Sequence, residues 1–139
     1  MPRLCCCSTQ GADRMATAPL ELLLVDEDEE TRNFVRCLLP ANYIVHEAAR
    51  GRVALELVQR HLPDCILLNW WLPDIEVLPL IQLWSAAHIP VIVLTRESFP
   101  QMVAPAMAQG AQGYLLKDQL STGLLEQVIT DAQADAKLK

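Results

Sequence analysis

No stretch of this chain is both long and apolar enough to cross a bilayer, which takes ~18 residues; its apolar runs are strand-sized. Basic residues are scarce: 11 Lys and Arg stand against 17 Asp and Glu, for a net charge of -6. Such a chain lacks the positive surface that displaces counterions from nucleic acid, so non-specific nucleic-acid binding is excluded and protein partners are not. There is no CxxC pair, and the consecutive Cys5, Cys6 and Cys7 are badly placed to converge on one metal. Cys37 and Cys65 lie singly in apolar surroundings and read as buried structural thiols. His46, His61 and His88 are scattered without metal-ligand spacing and read as surface or edge residues. No glycine-rich loop follows the first apolar run, where Asp-Glu-Asp-Glu-Glu would repel a nucleotide phosphate. The amino terminus, MPRLCCCSTQGADR, has no sustained apolar core of a secretory signal, so the expected location is the cytoplasm.

What the chain does have is a regular alternation. Its 139 residues, 52% of them hydrophobic, suit one domain with a real core. Residues 1–19 read as a disordered leader or linker and 20–137 as the folded domain. Leu22–Val25, Ile66–Leu68 and Val91–Leu94 are short, continuous apolar runs, as expected for strands covered on both faces. Tyr43–Ala48 alternates like an edge strand, and Tyr114–Leu116 is a fifth candidate. Between them fall helical patterns. Phe34, Val35, Leu38 and Leu39 share a face that Pro40 ends. Val53, Ala54, Leu57, Val58 and Leu62 form a second stripe. Leu124, Leu125, Val128, Ile129 and Ala132 form another behind the cap residue Ser121. Pro105 falls inside the fourth helix, which is expected to be short, kinked or partly unwound. The order, strand then helix five times over, predicts a doubly wound α/β domain with a five-stranded parallel sheet, flavodoxin-like, in strand order 2-1-3-4-5.

In such sheets function collects at the carboxyl ends of the strands. The residues there are Asp26, Glu27 and Asp28, then Asn69, Thr95 and Lys117. A helix cap accounts for one acidic residue after a strand, but not for the whole set. Carboxylates suit a hard cation such as Mg²⁺, and a hydroxyl beside an ammonium suits the oxygens of a phosphoryl group. Trp70 and Trp71 read as residues flanking this turn, and Trp84 as a core-facing helix residue.

The pieces LLLVDEDEE, DCILLNWWLPD, PVIVLT and GAQGYLLKD, in that order and spacing, resemble a CheY-like receiver domain of the two-component response-regulator family. The resemblance implies that Asp26 and Glu27 are the acidic pair that binds Mg²⁺ and that Asn69 holds the phosphoacceptor position. It also implies that Thr95 is the switch hydroxyl, Tyr114 the switch aromatic, and Lys117 the lysine that pairs with the phosphoryl group. Here the chain departs from the pattern. A neutral amide is a poor nucleophile, and removing one carboxylate lowers the ligand charge offered to a cation. Val77 stands where the family usually has glycine.

Beside a flavodoxin-type small-molecule sensor, for which the acidic run disfavours a nucleotide but not a neutral quinone, two functions are consistent with these residues. The first is a non-enzymatic pseudo-receiver that regulates a sensor histidine kinase, in the same chain or another, by protein–protein contact. The resemblance extends to the carboxyl-terminal pseudo-receiver of the cyanobacterial circadian input kinase, which implies clock-protein partners and quinone sensing. The second is an ordinary receiver, phosphorylated on aspartate, that Asn69 has silenced.

Overall fold

The computed structural model describes residues 20–96 and 100–138, with the side chains of 100–103 and 135–138 outside the description. The elements alternate as the sequence predicts. They are β1 (Leu20–Val25), α1 (Glu29–Leu38), β2 (Tyr43–Ala48), α2 (Gly51–Arg60) and β3 (Cys65–Asn69). Then come α3 (Val77–Ala86), β4 (Val91–Thr95), α4 (Pro100–Ala108), β5 (Gly113–Leu116) and α5 (Thr122–Leu138). A single 3-10 turn, Lys117–Gln119, links β5 to α5. The leader read into residues 1–19, its three cysteines included, lies outside the described residues.

All five strands are parallel, in the order β2-β1-β3-β4-β5. Hydrophobic burial builds the domain as two layers on one sheet. On one face Leu23, Ile66, Leu68 and Val93 meet α2, α3 and α4 through Ala54, Val58, Leu80, Ile81, Trp84 and Ala106. On the other, Leu22, Leu24, Leu67 and Leu94 meet α1 and α5 through Val35, Leu39, Leu125 and Ile129. Adjacent strand residues therefore face opposite layers, and both layers are apolar. That is why the central strands read as unbroken apolar runs.

Several sequence expectations are corrected. Phe34, Val53 and Leu124 lie on the exposed flanks of their helices, and Leu62 falls beyond the end of α2 with 73% of its surface exposed. Cys37 is exposed, whereas Cys65 is buried as expected and burial pushes its thiol well up. The helix α4 is short, as expected, at nine residues, and it continues through Pro105. Ala106 directly after it is buried in the core, and tertiary packing of this kind offsets the lost hydrogen bond. His46 and His61 come together with rings stacked 5.0 Å apart, and His46 Nε2 lies 3.1 Å from Glu21.

The α4–β5 connection turns on Gly110, whose φ of 116° is left-handed. A Cβ there would also overlap the Ser85 hydroxyl at the end of α3. Gly110→Ala combines backbone strain with a clash against a neighbouring helix. We expect a loss of about 2–3 kcal/mol in urea unfolding, at the upper end of ordinary point substitutions.

Candidate functional site

Strand register assembles the site. Val25 pairs with Leu68, Asn69 with Leu94, and Thr95 with Leu116. The residues that end or follow these strands thus emerge side by side along one edge of the sheet. An open pocket of about 270 Å³ is lined there by Asp26, Glu27, Asp28, Asn69, Trp70, Trp71, Thr95, Arg96 and Lys117. Five of the six residues assigned to the site by resemblance meet in it. The sixth, Tyr114, does not. It is 41% exposed and lines a separate small cavity beside α4, which Trp70 and Thr95 also line.

Asp26 is fully buried, and its carboxylate is engaged at both oxygens. Oδ1 accepts the Asp28 backbone N–H at 2.9 Å, and Oδ2 lies 2.7 Å from the Lys117 ammonium, itself largely buried. A buried carboxylate is tolerated only when paired and hydrogen-bonded, and Asp26 meets both conditions. Its backbone carbonyl is held as well, by Arg32 Nη1 at 2.8 Å. Arg32 in turn pairs with Glu47 of β2, which also holds Arg36. Sequence inspection missed Arg32, because nothing local links α1 to an edge strand.

Asp28 is a helix cap. Its Oδ1 accepts the Glu30 N–H at 3.2 Å and its Oδ2 the Thr31 hydroxyl at 2.8 Å. The Thr31 hydrogen bond outweighs partial desolvation and, with the Glu30 amide and the Lys117 and Arg96 charges, holds the carboxyl below its ordinary range. A lowered carboxyl stabilises the fold above its unfolded-state value and loses that contribution as pH falls through the folded one. Asp28→Ala is therefore expected to cost about 1 kcal/mol near neutrality. That difference should shrink below a pH of about 4, where the carboxyl protonates; paired thermal melts across pH measure it.

Asn69 Nδ2 donates to the Trp71 backbone oxygen at 2.6 Å. The loop beyond is pinned by Asp74, whose two oxygens accept the Gly51 and Arg52 N–H groups at the start of α2. Burial opposes ionisation of Asp74, but those amides and its own hold the carboxyl below its usual range. Trp71 is left 58% exposed at the pocket mouth. Arg96, directly after Thr95, reaches to 3.5 Å from Asp28 Oδ2. Its position immediately after a strand end was the available signal for it.

Asp26 and Glu27 are the carboxylates that would hold a Mg²⁺ ion here; Asp26 Oδ2 is ion-paired with Lys117, and Glu27 is exposed. Among the described residues no three metal-binding side chains converge.

The profile of the response regulator receiver domain matches residues 22–129. The chain belongs to the receiver family. Transcriptional regulatory protein YdfI of Bacillus subtilis is 32% identical over 108 residues, covering 75% of this chain and 51% of that protein. Histidine kinase P4 of Formosa agariphila is 30% identical over 100 residues, covering 69% of this chain and 7% of the kinase. Among solved structures, the receiver domain of response regulator NarL from Mycobacterium tuberculosis superposes with a TM-score of 0.74 at 28% identity. That match covers 84% of this chain and 98% of the other. The chain spans about half the length of the curated relatives it matches first. No described helix of this receiver is long and apolar enough to cross a membrane.

Proposed function

We propose that this receiver is a pseudo-receiver: a cytoplasmic signalling module that acts by protein–protein contact without being phosphorylated. The hydrogen bond from Asn69 to the Trp71 carbonyl carries this reading. At the position that the family resemblance assigns to the phosphoacceptor stands a neutral amide. Its nitrogen is used to hold the loop, and its oxygen gives no stable acyl phosphate. The second support is Lys117, whose ammonium already neutralises Asp26. Asp26 and Lys117 are then remnants of a phosphoryl pocket put to structural use.

Receivers are signalling modules that work with sensor histidine kinases, and such a kinase is the partner class this reading commits to. It is met either in trans or as a part of the same polypeptide, as the match to a segment of a histidine kinase illustrates. Clock proteins and a quinone enter this reading only through the resemblance to the pseudo-receiver of the circadian input kinase.

The test is incubation of the full chain with acetyl phosphate and Mg²⁺, followed by intact-mass measurement and amide NMR with beryllofluoride. We expect no phosphoryl mass increment and no shifts at Asp26, Thr95 or Lys117. A labelled protein, or a strong beryllofluoride response, would overturn the reading.

A further inference from the structure

Both cations that line the strand-end pocket already have partners. Lys117 holds the fully buried Asp26 at 2.7 Å, and Arg96 rests 3.5 Å from Asp28. An anion entering the pocket would have to draw Lys117 away, leaving a buried carboxylate uncompensated. At Arg96 it would also meet the Glu27 and Asp28 carboxylates. Glu27 differs from the other two acids. It lines the same pocket, is exposed, and has no ion pair or hydrogen bond among the described residues. Three carboxylates thus face two cations, and the unmatched one is Glu27. Two further groups favour the same sign of ligand. Asn69 uses its Nδ2 on the Trp71 carbonyl, and its Oδ1, an acceptor, has no partner among the described residues. Trp71 stands exposed at the mouth, on a loop fixed by that bond and by the bonds of Asp74 to the start of α2. An indole and an unmatched carboxylate on one pocket attract a cation. A guanidinium suits them best, because it stacks flat on an aromatic ring and forks onto a carboxylate.

We propose that this pocket receives the guanidinium of an arginine side chain on a protein partner, with Glu27 as the counter-charge and Trp71 as the stacking surface. The proposal deepens the pseudo-receiver reading and rests on it, since a pocket that takes no phosphoryl group is open to another ligand. Size sets the occupant: a volume of about 270 Å³ lies below the usual range for small-molecule sites and suits one long side chain. The surroundings set its source. Trp70 and Trp71 also line a second, open hollow of about 480 Å³, with Leu72, Pro73, Ile75 and Leu78 in its wall. A small free cation makes no use of that hollow, whereas the residues flanking an arginine in a polypeptide would lie along it. The loop that shapes both hollows is pinned before any partner arrives, so little ordering is needed on binding.

Amide and indole NMR of the full 139-residue chain tests this, with the capped peptide acetyl-Leu-Arg-Leu-amide as the probe. EDTA in the buffer keeps divalent cations off Glu27. We expect a Kd on the order of 1 mM, with shifts at Glu27, Asn69 and the Trp71 indole. The citrulline counterpart, neutral but of the same shape, should bind at least about fivefold more weakly. Free L-arginine lacks flanking residues and brings its own carboxylate to an acidic site, so it should also bind at least about fivefold more weakly. Glu27→Gln and Trp71→Ala should each weaken the probe by about threefold or more. Trp71→Ala keeps the backbone carbonyl that Asn69 uses, so the loop contact survives the loss of the ring. Dispersed amide spectra confirm that both variants are folded. Equal binding of the citrulline peptide, unchanged binding in both variants, tighter binding of free arginine, or a preference for inorganic phosphate would each overturn the proposal. These readouts are separate from phosphorylation. A chain that binds the probe yet is labelled by acetyl phosphate overturns only the pseudo-receiver reading, and one that neither binds nor labels overturns only the arginine site.

Discussion

Lys117→Met is expected to cost about 3–5 kcal/mol, the loss that follows when one partner of a buried ion pair is removed. Methionine keeps most of the lysine's apolar stem and volume, so the change isolates the ammonium. What it leaves behind is Asp26, fully buried, with its Oδ2 turned towards a methyl group instead of a cation 2.7 Å away. A domain of this size is stable by only ~5–15 kcal/mol, so the loss is a large share of the total. Urea unfolding followed by circular dichroism measures it. The double variant Asp26→Asn/Lys117→Met should recover most of the deficit. An amide keeps an oxygen for the Asp28 N–H, and no unpaired charge remains in the interior. A single variant that loses less than about 1 kcal/mol would mean that the pair is solvated in practice and that Asp26 does not depend on Lys117.

The contrast between what could be read from the residues and what could not has physical causes. Parallel strands covered on both sides must be continuously apolar, so Leu22–Val25, Ile66–Leu68 and Val91–Leu94 identified themselves to within two residues at either end. Parallel register then brings strand ends together, which is why Asp26, Asn69, Thr95 and Lys117 could be grouped before any contact was known. Helical stripes are less exact. A 3.6-residue period marks one side of a helix but not where its edges fall, so the apolar stripes include Phe34, Val53 and Leu124, which lie on exposed flanks. Contacts between elements distant in sequence left no trace at all. Arg32 reaching Glu47 and His46 stacking on His61 are products of the assembled sheet and helices. Tyr114, assigned by resemblance as the switch aromatic, lines the small cavity beside α4, next to Thr95 and Trp70.

Asn69→Asp is expected to destabilise the protein by about 1–3 kcal/mol and to leave it unphosphorylated. The substitution is nearly isosteric, so its effect comes from hydrogen-bond polarity. Asn69 donates to the Trp71 carbonyl oxygen at 2.6 Å. An ionised carboxylate has no proton to donate and would set one oxygen against another at that distance. The loop must then move, although Asp74 pins it to the start of α2. The usual gain of such an aspartate, pairing with the lysine, is reduced because Lys117 is committed to Asp26. Spontaneous hydrolysis of Asn69 should not supply the aspartate either. That route needs the next backbone nitrogen to attack the side chain, and the Trp70 N–H is held by the Leu94 carbonyl at 2.8 Å. Thermal melts give the stability change, and acetyl phosphate with intact-mass detection gives the chemistry. A variant as stable as the parent that labels readily would mean the opposite of what is proposed. Asn69 would then be a single-residue lock on an otherwise working receiver. A destabilised, unlabelled variant would mean that the loop and Lys117 have adapted around the amide, and that aspartate can no longer simply be put back.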